Sequence, residues 1–95
     1  MKKRYGIRKI PDGKLIKIEL DYDETANKIH EVKITGDFFC YPENIIPKIE
    51  KLLKNKTIPF DSNKTILEIE QIISEGDLIG VSARDIVEVI LEAIN

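Results

Sequence analysis

Few side chains in this sequence are suited to making or breaking bonds, and their spacing limits what they can do. Cys40 is the sole thiol and His30 the sole imidazole. One cysteine excludes an internal disulfide, and the pair leaves too few soft ligands for a zinc or iron–sulfur site within one chain. Cys40 has neither a second cysteine nor a histidine close in sequence, so it reads as a small packed apolar side chain. His30 stands at a strand start in register with Val32 and has no nearby nucleophile to serve, which makes it a partly buried structural imidazole. Asp21 and Asp23 fall in or beside a hairpin loop, where carboxylates are ordinarily solvated. Gly76 and Gly80 flank Asp77-Leu78-Ile79 at a helix end, a spacing that suits a cap and not a phosphate-cradling loop. Catalysis by this chain alone is not expected.

Two other clusters concentrate chemistry of a binding kind. The first nine residues carry Lys2, Lys3, Arg4, Arg8 and Lys9 around Tyr5. Cations beside an aromatic face are what RNA contacts need, but an edge strand protected by lysines explains the same residues. The second cluster is Ile34-Thr35-Gly36-Asp37-Phe38-Phe39-Cys40-Tyr41-Pro42-Glu43, which holds Phe38, Phe39 and Tyr41, half of the aromatic residues. Gly36 and Asp37 form a natural break at a strand end. Adjacent Phe38 and Phe39 cannot enter one layer from an extended backbone, so one joins the core and the other needs a helix, a loop or a partner.

The elements that must position these residues follow from periodicity. Ile16, Ile18, Leu20 and Tyr22 alternate with Lys17, Glu19 and Asp21, the pattern of a strand with one wet face over Lys14 to Tyr22. Val32 and Ile34 alternate with Glu31 and Lys33 in a second strand over His30 to Ile34, and Asp23 to Asn27 makes the hairpin loop. Pro11-Asp12-Gly13 is a turn signal that makes Tyr5 to Ile10 a first strand. Beyond Pro42 the period becomes helical. Ile45, Ile49, Leu52 and Leu53 form one stripe, with Asn44 as N-cap and Pro47 confined to the first turn. Ile66, Ile69, Ile72 and Ile73 mark a second helix that stops at Gly76. Ser82 and Asp85 open a third, with Ile86, Val87, Ile90, Leu91 and Ile94 as its stripe. Between the first two helices, Lys54 to Asn63 is irregular, with Ile58 and Phe60 pinning it to the core. The expected fold is a single α+β domain over residues 1–95, a two-layer arrangement in which about three helices cover an antiparallel three-stranded β-meander.

Composition agrees with an independently folding domain. A chain of 95 residues, 42% hydrophobic and 34% charged, sits in the globular class and buries roughly 65% of its unfolded surface. Its net charge of −2 argues against general nucleic-acid affinity. No apolar run reaches the roughly 18 residues of a membrane span, and Met1-Lys2-Lys3-Arg4 is not followed by a signal core. The expected location is cytoplasmic.

The combination of Gly13-Lys14-Leu15 opening a strand, a hairpin, then Val32-Lys33-Ile34-Thr35-Gly36-Asp37-Phe38-Phe39, Tyr41-Pro42-Glu43 and an amphipathic helix resembles the C-terminal accessory domain of lipoate–protein ligases. The resemblance extends to Gly80-Val81-Ser82 and its helix, with Gly-Asp-Phe-Phe as the most specific part. Family members often carry two glycines before the lysine, where this chain has Asp12 at the first. The catalytic domain is missing, so the chain is similar to the separately encoded small subunit of archaeal-type two-component ligases. The resemblance implies a fold like that of iron–sulfur scaffold and sulfur-acceptor proteins, without their cluster ligands. It implies a non-catalytic subunit of an ATP-dependent ligase, forming a heterodimer with the catalytic subunit and supporting activation of lipoate to lipoyl-AMP for protein lipoylation. ATP, magnesium and lipoate are then expected on the catalytic subunit, none on this chain, and the lipoyl-acceptor protein is met indirectly. Lys14, Gly36, Asp37, Phe38, Phe39 and Tyr41 become the expected partner interface, with no catalytic and no metal residues, no nucleic acid and no membrane. The alternative is an independent adaptor or RNA-binding module using the basic first strand.

Overall fold

A computed structural model describes residues 1–11 and 14–95. Of the expected Pro11-Asp12-Gly13 turn, Asp12 and Gly13 lie outside the described residues. Three antiparallel strands, β1 (Lys2–Lys9), β2 (Leu15–Asp23) and β3 (Lys28–Gly36), form a sheet in sequence order. The short β4 (Phe39–Tyr41) follows, then α1 (Ile45–Leu53), α2 (Ser62–Ile73), β5 (Asp77–Ile79) and α3 (Ala83–Ile94). The result is the expected α+β fold with one addition, a separate two-stranded ribbon in which β4 pairs with β5. Among the described residues no helix is long and apolar enough to cross a membrane.

Register explains why alternation in β2 and β3 builds a core. Ile18 faces Gly6 on one side and Ile34 on the other, while Leu20 lies between Arg4 and Val32. Ile16, Ile18, Leu20, Val32 and Ile34 all point to the buried face, as a period of two requires. Helix α3 lies on β1 and β2, α1 lies on β3, and α2 packs against both helices. Two helices thus cover the sheet directly, and the third braces them from behind. Close approach of α3 depends on Gly6: a Cβ there would stand 2.6 Å from the Val89 carbonyl oxygen and 2.7 Å from its Cγ1.

His30 departs from its expected place. The register shifts between Asp21 and Tyr22, so that Asp21 pairs with Glu31 but Tyr22 pairs with Ile29, and His30 is the extra residue of a bulge. The alternation slips by one, Ile29 takes the buried position, and His30 is exposed. Helix ends differ in detail. Ser82 and Asp85 form the reciprocal capping box, with Asp85 N donating to Ser82 Oγ at 3.1 Å and Ser82 N to Asp85 Oδ2 at 2.9 Å. Asn44 occupies the α1 cap position in helical backbone geometry and makes no side-chain cap bond, in contrast to expectation. Asp61, which the hydrophobic pattern does not mark, caps α2 by accepting from Lys64 N at 3.1 Å.

The two sheet edges are treated differently. Along β3, Glu50 Oε2 accepts from Ile34 N at 2.7 Å, and the loop after α1 exchanges bonds with Ile29, from Asn55 N at 2.7 Å and to Lys56 O at 3.0 Å. That edge is closed by α1 and its loop. The β1 edge carries Lys2, Lys3 and Lys9 instead, a known means of discouraging edge-to-edge pairing.

Candidate functional site

The aromatic cluster lies where β3 leaves the sheet. Asp37 ties this exit to the start of β2: its N–H donates to Leu15 O at 3.2 Å, and its Oδ1 accepts from Leu15 N at 2.5 Å. Gly36 is needed at the bend, because a Cβ there would press on the Leu15 carbonyl oxygen and come within 2.8 Å of the Phe38 ring. Phe38 therefore folds back over the sheet end and packs, half-buried, on the core.

Phe39 goes the other way. It stands opposite Ile79, Cys40 opposite Leu78 and Tyr41 opposite Asp77. Side chains alternate across a strand, so the ribbon has two unlike faces. Cys40 and Leu78 turn inward and pack on the core, with Cys40 Sγ 3.6 Å from the Pro42 carbonyl oxygen. Phe39, Ile79 and Tyr41 turn outward and are 55%, 60% and 65% exposed. A single exposed apolar residue is ordinary, but three on one face of a paired ribbon form a ridge of the kind that meets a partner. Leu15 is also exposed, beside the Asp37 staple.

Of the six expected interface residues, the structure brings Phe39 and Tyr41 to the surface together. Phe38, Gly36 and Asp37 shape the bend that presents them. Lys14 is exposed and lines a shallow groove of about 450 Å³ with Ile79, Gly80, Ser82 and Asp85. Ile79 is the functional candidate that sequence reasoning missed. Gly76 to Gly80 reads as a helix end, and a three-residue strand is too short to declare a period; its partner lies about forty residues earlier in the chain.

Three of the five cations of the basic start, Lys2, Lys3 and Arg8, are paired with carboxylates within the molecule. Arg8 crosses to α3, where its Nη1 donates to Glu88 Oε1 at 2.7 Å and its Nη2 to Glu92, with Asp85 Oδ1 at 3.9 Å. Its hydrogen bonds to Glu88 and then to Glu92 push the guanidinium above its ordinary value, so it stays charged at any relevant pH. Lys3 Nζ lies 3.2 Å from Asp21, whose hydrogen bond and charge raise it, and Lys2 lies 3.5 Å from Glu24. Lys17 sits over the Tyr5 ring at 5.8 Å. Cations already paired with carboxylates are poor phosphate ligands, which weighs against the RNA reading. Among the described residues, no three His, Cys, Asp or Glu side chains come together in a group able to hold a metal ion.

Comparison with known proteins adds a relationship that geometry cannot. No protein-family model matches the sequence. Over 44 residues the chain is 41% identical to lipoate-protein ligase A subunit 2 of Thermoplasma acidophilum. That alignment spans 46% of this chain and 45% of the relative, less than half the length of each. In structure it matches a chain from a bi-partite lipoate protein ligase and its E2 lipoyl domain, also from Thermoplasma acidophilum, with a TM-score of 0.69. This match covers 93% of both chains at 28% identity.

Proposed function

We propose, from the premise that this chain is a homologue of the second subunit of a two-part archaeal lipoate–protein ligase, that it is the accessory subunit of such a ligase. It binds a separate catalytic subunit and enables that subunit to activate lipoate. The observation that carries the reading is the structural match over 93% of both chains, joined by an exposed apolar ridge that a lone domain has no reason to keep.

The chemistry gives the helper a task. The lipoate carboxylate attacks the α-phosphorus of ATP, pyrophosphate leaves, and the acyl group of lipoyl-AMP then passes to a lysine amine of the acceptor protein as AMP departs. A mixed anhydride accumulates only where the carboxylate and α-phosphate are held in line and water is kept out. A second subunit achieves this by ordering loops of the first or closing over them. The nucleotide, its metal and lipoate are then expected on the catalytic subunit. The contribution of this chain is then a surface, with Phe39 and Tyr41 as anchors, since aromatics in desolvated pockets carry much of interface energy.

The test is lipoyl-AMP formation, followed as pyrophosphate release, by the catalytic subunit from the same source with lipoate, ATP and magnesium. Activity that appears only on mixing with this chain is the expected result. Full activity without it, together with separate elution on gel filtration, would discard the accessory role.

A further inference from the structure

We infer that the catalytic subunit docks on the outer face of the β4–β5 ribbon through an apolar segment flanked by basic side chains. This inference rests on the accessory-subunit reading and assigns the place and chemistry of the contact. Phe39 and Ile79 stand side by side across the ribbon, and Tyr41 continues the same face. The inner face is anchored by Cys40 and Leu78, and Phe38 holds the approach. The ridge is therefore presented on rigid support, the condition under which an exposed aromatic binds at small entropic cost.

The rim specifies the partner's charge. Asp77 lies directly opposite Tyr41, Glu43 follows Tyr41 by two residues, and Asp37 precedes Phe38; all three are exposed. Lys14 is the cation beside Ile79, in the adjoining groove. Three carboxylates against one ammonium make the surround acidic. A second copy of this chain would bring acidic rims together, whereas Lys or Arg residues flanking an apolar segment would meet them favourably. The other exposed apolar pair, Tyr5 and Ile7 on the open sheet face, stands opposite Glu19 and Lys17, with Lys33 and Thr35 on the strand beyond, and its surround is basic rather than acidic.

The experiment measures affinity for the purified catalytic subunit by titration calorimetry at two salt concentrations, alongside lipoyl-AMP formation. The variants are Phe39→Ser, Ile79→Ser, Glu43→Lys with Asp77→Lys, and Tyr5→Ser with Ile7→Ser as a control. Circular dichroism confirms that each is folded. Loss of about tenfold or more in affinity for Phe39→Ser and Ile79→Ser, with the control unchanged, is expected. The charge reversal should weaken binding and flatten its salt dependence. Unaltered binding by both ridge variants, with loss in the Tyr5/Ile7 variant, would move the interface to the open sheet face and leave the accessory role standing. An unchanged salt dependence after charge reversal would overturn the basic-flanked occupant. A ridge-dependent dimer of this chain alone would replace the heteromeric partner by a second copy. No complex and no activation with the unaltered chain would remove the accessory role and the docking site together.

Discussion

The three-stranded sheet and the β4–β5 ribbon use the same alternation to opposite ends. In β2 the apolar residues Ile16, Ile18 and Leu20 face the helical layer, where α3 covers them, and Lys17 and Glu19 face away from it. In the ribbon both faces are apolar: Cys40 and Leu78 meet the core, while Phe39, Ile79 and Tyr41 remain outside. In the first arrangement the buried face is covered within the chain, although Leu15 at the strand start and Tyr5 and Ile7 on β1 stay exposed. The second leaves apolar surface in water, a cost that folding does not require and that a partner would recover. Stability and recognition are thus assigned to different strands, and substitutions should separate them.

The largest effect belongs to the sheet. Leu20→Ala removes a fully buried side chain between Val32 and the Arg4 stem and should cost about 2–5 kcal/mol, read as a lower urea midpoint at unchanged slope. Gly6→Ala attacks the same layer from the opposite direction. Its new Cβ would meet the Val89 carbonyl oxygen and side chain on α3, so α3 must lift from β1, at about 1–3 kcal/mol by analogy with other overpacked sites. If Gly6→Ala were neutral, the tight seating of α3 on β1 would be wrong, and the contrast between a closed sheet and an open ribbon would weaken.

How far the sequence reveals each region follows from the same physics. The strands β2 and β3 and the stripes of α1, α2 and α3 were legible because each repeats a local period over enough residues to be counted. The expected first strand began at Tyr5, but β1 starts at Lys2: pairing with Tyr22 and Asp21 extends it through residues with no apolar signal. His30 was misplaced because a bulge changes phase without changing composition. The ribbon was out of reach, since Asp77-Leu78-Ile79 becomes a strand only by pairing with residues brought close by α1 and α2. The division of labour between Phe38 and Phe39 was legible as a necessity, because neighbours on an extended chain face opposite ways. Which of them faces outward is decided by Gly36 and the Asp37 staple.

A smaller effect tests the helix that ties the two regions together. Ser82 follows β5 by three residues and caps α3 through Asp85, so Ser82→Ala should cost about 1 kcal/mol. The urea midpoint should fall modestly, and binding through the ribbon should hold. A loss of partner affinity larger than the loss of stability would mean that the α3 cap also sets the position of Ile79, and the two regions would no longer be independent.

The smallest expected effect draws the line most sharply. Phe39→Thr replaces one strand-favouring residue of β4 by another, β-branched one and removes a ring that is already 55% exposed, so stability should stay within about 0.5 kcal/mol of the parent. Thermal unfolding of the isolated chain measures this directly. If the change reached the range expected for Leu20→Ala, the Phe39 ring would be part of the core in solution and the ridge would not exist as a free surface. With unfolding unchanged, any loss of activation by this variant has to arise at the contact, since Phe38, Cys40 and Leu78 would still hold the ribbon in place.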